Sequence, residues 1–127
     1  MIKQVVLSLT FFHMTQTIAA DCNDAGTQSE MNQCAAEDYK KMDKELNTAY
    51  QQTLKKTSGE QKKRLQSAQK KWISYRDADC SFQTYKSSDG TISPLNTARC
   101  LQVKTEQRTR ELKNMLNCPE GDVSCPL

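Results

Sequence analysis

The sequence is poor in the residues on which most catalytic and metal sites depend. It has one histidine, His13, and no Cys-x-x-Cys pair, so the spacing of a structural zinc site is missing. It also has no Gly-rich phosphate loop and no nucleophile elbow. We therefore expect no metal and no cofactor.

Long hydrophobic runs are absent as well. The apolar run from Val5 to Phe12 is much too short to cross a bilayer. Lys3 precedes it and small residues follow up to Ala20, which predicts a cleaved secretory signal at residues 1–20. Asp21 separates this site from Cys22, so a lipobox is not formed. The mature chain is expected to be soluble, and periplasmic or secreted.

Cleavage would remove His13, and without an imidazole no Ser-His or Cys-His nucleophilic site can form. We expect a protein that is not an enzyme. Loss of Lys3 lowers the formal charge from +3 to +2. That charge is too small for a nucleic-acid binder, whose affinity depends on many phosphate contacts.

Six cysteines would remain after cleavage, and an even number in an exported chain predicts disulfide bonds. They are Cys22, Cys34, Cys80, Cys100, Cys118 and Cys125.

The spacing of apolar side chains in steps of three and four predicts helices. The first begins after Thr27, where Thr27 and Glu30 can form a capping box, and it ends before Gly59. Ser58 and Gln61 can form a second capping box. The inner positions of the second helix are expected to be Leu65, Ala68, Trp72, Tyr75 and Phe82.

A turn segment, "KSSDGTISP", separates the second helix from a third. Asn96 is the expected cap of this helix, and its inner positions are Ala98, Leu101, Thr105, Arg108, Leu112 and Met115. No segment alternates like a strand. The expected fold is all-α: a long antiparallel helical hairpin with a third packed helix, stapled by disulfides at one end. Residues 21–116 would form this domain, followed by a tail at 117–127.

Antiparallel packing of the hairpin would bring Cys34, Cys80 and Cys100 to one end of the bundle. We predict the pairs Cys22–Cys34 and Cys80–Cys100, with a local Cys118–Cys125 loop in the tail, although six cysteines allow about fifteen arrangements. Without its own bond the tail would be a disordered end.

Four residues are expected to form a structural polar core. Counting from the cysteine end puts Asp43, Trp72 and Arg108 at one level, which predicts an Asp43–Arg108 ion pair. Arg76 falls one turn away, opposite Asp38 and Tyr39. Arg108 could instead hold an anionic ligand, and Trp72 could stack on a ligand, but the inner face of a bundle favours the structural role.

Charge is distributed unevenly along the predicted bundle. Lys55, Lys56, Lys62, Lys63, Arg64, Lys70 and Lys71 surround the hairpin turn, with Glu60 as the one acid. The cysteine end gathers Asp21, Asp24, Glu37, Asp38, Asp77, Asp79 and Asp89. Such runs usually solvate a helix. Otherwise the basic turn could bind anionic envelope polymers and the acidic end a cationic protein.

Several segments resemble the LprI-like family of secreted bacterial proteins: "DCNDAGTQSEMNQCA", "DKELNTAY", "AQKKWISYRDADC" and "CLQVKTEQRTREL". The likeness covers about residues 21–116, and its recurring pieces include Trp72, Arg76 and Asp77. The family takes its name from a mycobacterial lipoprotein that inhibits lysozyme. The resemblance therefore implies a binding protein that inhibits lysozyme or a related peptidoglycan hydrolase.

The loop at residues 86–96 is the expected inhibitory segment, with Ser88, Asp89, Thr91 and Ile92 as binding residues, although it also suits an ordinary connector. Animal lysozymes are strongly basic, so only the acidic end is attracted to them. Two other hypotheses stay open. One is an envelope accessory protein that contacts anionic polymers through Lys55, Lys56, Lys62, Lys63 and Arg64. The other is a periplasmic immunity protein.

Overall fold

The structure, a computed structural model, describes residues 22–119 and 121–127, so the predicted signal at 1–20 and Asp21 lie outside the described residues. The chain forms a 3₁₀ turn at Cys22–Asp24 and then α1 at Gln28–Lys55 and α2 at Gly59–Gln83. A second 3₁₀ turn at Tyr85–Ser87 leads to α3 at Ser93–Leu116. There is no strand in the described parts of the chain, and the all-α prediction is confirmed.

The start of α1 follows the predicted capping pattern closely. Thr27 Oγ1 accepts a hydrogen bond from the backbone N–H of Glu30 at 3.1 Å. The Glu30 carboxylate reaches back to the N–H of Gly26, at 3.0 Å, one residue before the position of an ordinary capping box. One amide that the first helical turn leaves without a partner, that of Glu30, is thereby satisfied, and the bond from Gly26 fixes the residue before the cap.

The turn between α1 and α2 depends on Gly59, whose φ of +56° lies in the left-handed region that favours glycine. The predicted capping box of Ser58 with Gln61 is wrong, because the Ser58 side chain makes no cap hydrogen bond. The Gln61 amide donates instead to the carbonyl of Pro126, so it contacts the tail.

The prediction of Asn96 as the cap of α3 is also wrong. The helix begins at Ser93, three residues earlier, and Pro94 lies in its first turn, where a missing backbone N–H leaves no bond unmade. Asn96 is already inside the helix, and its side chain donates to Ser87 Oγ at 3.1 Å. Its role is to hold the preceding loop.

The three helices run up, down and up. Asn32, near the start of α1, donates to the carbonyl of Thr91 just before α3, at 2.9 Å. One to two turns further on, Asp38 of α1 lies 3.8 Å from Arg99 of α3. The helices α1 and α3 are therefore parallel, and α2 is antiparallel to both. The most extensive packing is that of α3 on α1, whereas α1 and α2 contact each other least.

The apolar core is small. Leu46, Ala49 and Leu112 form it, and it is flanked by partly buried side chains: Tyr50, Leu65, Trp72 and Met115. Buried threonines extend it, since Thr53 and Thr109 satisfy their hydroxyls on carbonyls one turn back, at 2.9 and 2.8 Å. A domain with so little buried apolar surface depends more than usual on covalent ties.

The three disulfides provide those ties, and all three predicted pairs are present: Cys22–Cys34, Cys80–Cys100 and Cys118–Cys125. Their Cα–Cα distances are 5.3, 5.6 and 5.8 Å, within the ordinary range for cystine. In the tail, the N–H and hydroxyl of Ser124 donate to the Asp122 carboxylate and lower its pKa. In the described tail residues, 117–119 and 121–127, the Cys118–Cys125 bond closes a loop, and Pro126 contacts Gln61 at the start of α2.

The inner face of α2 differs from the predicted one. The structure buries Gln69, Arg76 and Cys80, and it leaves Tyr75 and Phe82 59% and 78% exposed. Ala68 is exposed too. The face is rotated because Arg76 and Gln69 find polar partners on α1 and α3, which an apolar periodicity does not register.

Candidate functional site

Two ends of the bundle are distinct. We call the "loop end" the region with the α2–α3 connection at residues 84–92 and the disulfides Cys22–Cys34 and Cys80–Cys100. We call the "turn end" the α1–α2 turn at residues 56–58, the helical residues on either side of it (55 and 59–64), and the described tail residues 117–119 and 121–127. No helix among the described residues is long and apolar enough to cross a membrane.

The α2–α3 loop presents all four residues predicted as an inhibitory segment. Ser88, Asp89, Thr91 and Ile92 are exposed, Ile92 to 42% although it is apolar. These side chains lie on the surface of one short connection. The structure therefore brings them together.

The backbone of this loop is restrained by hydrogen bonds within the loop, by a hydrogen bond from α1 and by a disulfide bond. The N–H of Gly90 donates to the carbonyl of Ser87 at 3.0 Å, and the N–H of Ser93 donates to the carbonyl of Gly90 at 3.1 Å. Asn32 of α1 donates to the carbonyl of Thr91. The Cys80–Cys100 disulfide joins the two helices on either side. An exposed tip on a restrained backbone loses little conformational entropy when it binds.

The loop end is less acidic than its composition indicates, because three of its carboxylates have cationic partners. Asp38 pairs with Arg99, Asp77 with Arg76, and Asp79 with Lys104. Asp24, Glu37 and Asp89 remain exposed, and none of these forms an ion pair with another described residue. Asp24, Glu37 and Asp89 therefore add negative charge at this end that no described cation pairs with.

Lys104 and Asp79 link α3 to α2 below the loop. The Lys104 ammonium also lies over the ring of Tyr75, 5.0 Å from its centroid. Hydrogen bonds from Lys104 and Gln83 lower the pKa of Asp79, and the bond to Asp79 raises the pKa of Lys104. The sequence prediction missed this pair, since Lys104 was not on the predicted inner face of α3.

Arg76 is the centre of the polar interior. It is 6% exposed, with its Nε 2.9 Å from Asp77 Oδ1 and its Nη1 3.3 Å from Thr105 Oγ1. The rings of Trp72 and Tyr39 lie 5.3 and 5.6 Å from the guanidinium carbon. The contact expected between Arg76 and Tyr39 is therefore present. Burial raises the pKa of Tyr39, although the charge of Arg76 opposes this.

Asp43 belongs to this cluster, and the predicted Asp43–Arg108 ion pair is wrong. The Asp43 carboxylate lies 3.5 Å from Arg76 Nη1. Arg108 donates instead to Gln69 Oε1 at 3.1 Å and to Glu111 Oε2 at 3.0 Å. These contacts occupy the guanidinium that could otherwise have held an anion.

The error came from the axial register of α1. Cys34 pairs with Cys22, next to its own helix, so it need not lie level with the Cys80–Cys100 bond. The Asp38–Arg99 contact shows that Cys34 lies about one turn beyond Cys100. Counting from Cys34 therefore misplaced Asp43 by one turn.

The turn end carries the predicted basic residues. Lys55, Lys56, Lys62, Lys63 and Arg64 are all exposed. Arg64 lies 3.4 Å from Glu60, but both side chains are mostly solvated, so the pair contributes little stability. The turn end is a solvated cationic surface.

Comparison with known proteins agrees with the resemblance inferred from the sequence. The family model described as lysozyme inhibitor LprI matches residues 19–112, which include α1, α2 and most of α3. An uncharacterised protein of Rhizobium meliloti (strain 1021) is 31% identical over 114 residues, which cover 80% of this chain and 82% of the relative. No solved structure matches significantly. The chain belongs to the LprI lysozyme-inhibitor family.

Proposed function

We propose that this protein acts by binding, without catalysis, as a periplasmic or secreted inhibitor of lysozyme or a related peptidoglycan hydrolase. The observation that carries the proposal is the α2–α3 loop, whose tip is exposed while its backbone is restrained. The disulfides and the family support an exported protein.

The chemistry of the loop suits the cleft of a glycoside hydrolase. Such clefts contain a pair of carboxyl groups, to which the hydroxyls of Ser88 and Thr91 can donate. Asp89 can pair with cationic groups on the rim of a basic enzyme. Ile92 adds apolar contact area that is already exposed in the free protein.

The test measures the activity of hen-type lysozyme, and of the cell-wall hydrolases of the bacterium that produces this protein, as the purified protein is added. We expect Asp89→Ala and Ile92→Ala each to weaken inhibition about tenfold. Lys62→Glu combined with Lys63→Glu, at the turn end, is the control and should leave inhibition unchanged. Absence of inhibition at micromolar concentrations would contradict the proposal.

A second candidate is supported by the turn end. Five cationic side chains are exposed there beside the acids Glu60 and Asp122, which suits an envelope accessory protein that contacts anionic polymers. Binding of this kind weakens as salt increases. It would be abolished by the same Lys62→Glu and Lys63→Glu substitutions that leave hydrolase inhibition intact.

A further inference from the structure

A groove on the side of the bundle is lined by lysines from two helices. It has a volume of about 500 Å³ and lies between α1, which contributes Lys41 and Lys44, and α3, which contributes Lys113. We call it the lysine groove. The buried side chain of Ala49 lies in its lining, together with one acid, Glu45. The lining of the lysine groove includes no residue of the α2–α3 loop or of the α1–α2 turn at residues 56–58.

A second hollow continues this groove along α1. It has a volume of about 390 Å³ and shares Lys44, Thr48 and Gln52 with the first. It adds Asn47, Gln51 and Lys55. The continuous surface from Lys41 to Lys55 is therefore about 21 Å long at the rise of an α-helix. An extended chain molecule fits it better than a compact ligand does.

The charges in this groove are free to bind a ligand. Lys41, Lys44 and Lys113 form no ion pair with any residue in the described ranges 22–119 and 121–127. Lys104, by contrast, is held by Asp79 and by the ring of Tyr75. With three lysines and one acid, Glu45, in its lining, the lysine groove carries a net positive charge.

We infer that the lysine groove binds a linear acidic glycan, a polysaccharide that carries carboxylates or phosphates at intervals along its chain. The ammonium groups attract the spaced anions. Thr48, Gln51 and Gln52 offer hydroxyl and amide groups that hydrogen-bond to sugar hydroxyls. Glu45 can accept a hydrogen bond from a sugar hydroxyl, which a purely cationic surface cannot do.

The composition of the groove favours a glycan over other polyanions. Its cations are all lysines, which act as point charges, whereas recognition of a single phosphate usually employs the bidentate fork of arginine. No aromatic side chain lines it, so bases of a nucleic acid find no stacking surface. No large apolar side chain lines it either, so nothing there would insert into a membrane.

The test measures binding of a fluorescent oligogalacturonide by anisotropy at low salt. Lys41→Gln, Lys44→Gln and Lys113→Gln combined should weaken binding about tenfold, because three exposed ion contacts are lost. Lys70→Gln, Lys71→Gln and Lys86→Gln combined remove the same charge from exposed sites outside both the groove and the five basic residues of the turn end, and should change binding less than about twofold. The corresponding Lys→Arg triple in the groove should keep most of the affinity.

Further probes separate the sources of anionic charge. A poly(glycerol phosphate) probe with the same dependence on the groove would extend the site to phosphate-bearing polymers, and a neutral glucose oligomer should not bind. No binding of the acidic oligomer, or equal losses in the two Gln triples, would overturn the proposal. Tighter binding to phosphatidylglycerol vesicles, lost in the groove triple, would overturn it in favour of a membrane surface.

Discussion

At the scale of single residues, Arg76 determines how the helices face one another. It lies on α2 and contacts Asp43 on α1 and Thr105 on α3, so one side chain connects three helices. Its partner carboxylates remain partly solvated, with side chains 42% and 57% exposed for Asp43 and Asp77. The ion pairs alone are therefore worth little, and the packing of the guanidinium between Trp72 and Tyr39 is the larger contribution.

Arg76→Ala should lower the free energy of unfolding by about 2–4 kcal/mol. The substitution leaves a cavity at a buried site and removes the guanidinium on which the rings of Trp72 and Tyr39 pack. Arg76→Met should recover part of this loss, since its side chain refills the space while the carboxylates stay hydrated. Urea unfolding is the measurement. Arg110→Ala, at an exposed site on α3, is the control. Equal stability of Arg76→Ala and this control would disprove a structural role for Arg76.

The Asp79–Lys104 pair makes the stability of the fold depend on pH in acidic solution. The pKa of Asp79 is lowered below its ordinary value of 3.8 in the folded protein. The contribution of ionised Asp79 to the free energy of unfolding is therefore fully present above pH 3.8, the pKa of the unfolded state. It is lost as the pH falls through the lower pKa that Asp79 has in the folded protein. In acid titrations followed by circular dichroism, Asp79→Asn should show a shallower loss of stability than the wild type. Identical pH profiles would contradict the assignment.

At the scale of elements, α1 and α3 follow their sequence patterns and α2 does not. The inner faces of α1 and α3 are marked by Leu46, Ala49 and Leu112, whose spacing indicates burial directly. The inner face of α2 is marked by Gln69 and Arg76. These residues are polar, and they are buried only because partners on the neighbouring helices satisfy them. The sequence predicts the interior position of Arg76, but the burial of Gln69 and the exposure of Tyr75 and Phe82 follow only once the neighbouring helices are placed.

The sequence predicts the α2–α3 connection as a loop, but it does not predict the contacts that restrain the backbone of this loop. The turn signals at Asp89 and Gly90 mark the connection in the sequence. The bond from Asn32 to Thr91 joins residues 59 positions apart, and no local pattern indicates it. Similarly, Asn96 suggested a helix cap although it supports the 3₁₀ turn from inside α3.

Cys80→Ala combined with Cys100→Ala tests this restraint. The bond closes a segment with a sequence separation of 20, so its loss should destabilise the fold by about 3 kcal/mol. It should also weaken hydrolase inhibition at temperatures where the variant is still folded, because the loop loses its anchor. Cys118→Ala combined with Cys125→Ala should leave inhibition unchanged. A folded Cys80/Cys100 variant with full inhibition would show that the bond does not preorganise the loop.

At the scale of the whole molecule, the bundle separates its surfaces. The loop end presents a restrained tip that carries Asp89, while the turn end and the lysine groove are cationic. Under our two proposals, the loop end engages a basic enzyme and the lysine groove contacts an acidic polymer. The near-neutral formal charge of +3 for the full chain conceals this division.

The most direct measurement is a competition between this protein and a chitooligosaccharide for the lysozyme cleft. If the loop at residues 86–96 occupies the cleft, inhibition is competitive, and the apparent inhibition constant rises linearly with the concentration of free oligosaccharide. Asp89→Ala and Ile92→Ala should weaken the competition. Inhibition that is indifferent to the oligosaccharide, or that survives both substitutions, would contradict the account.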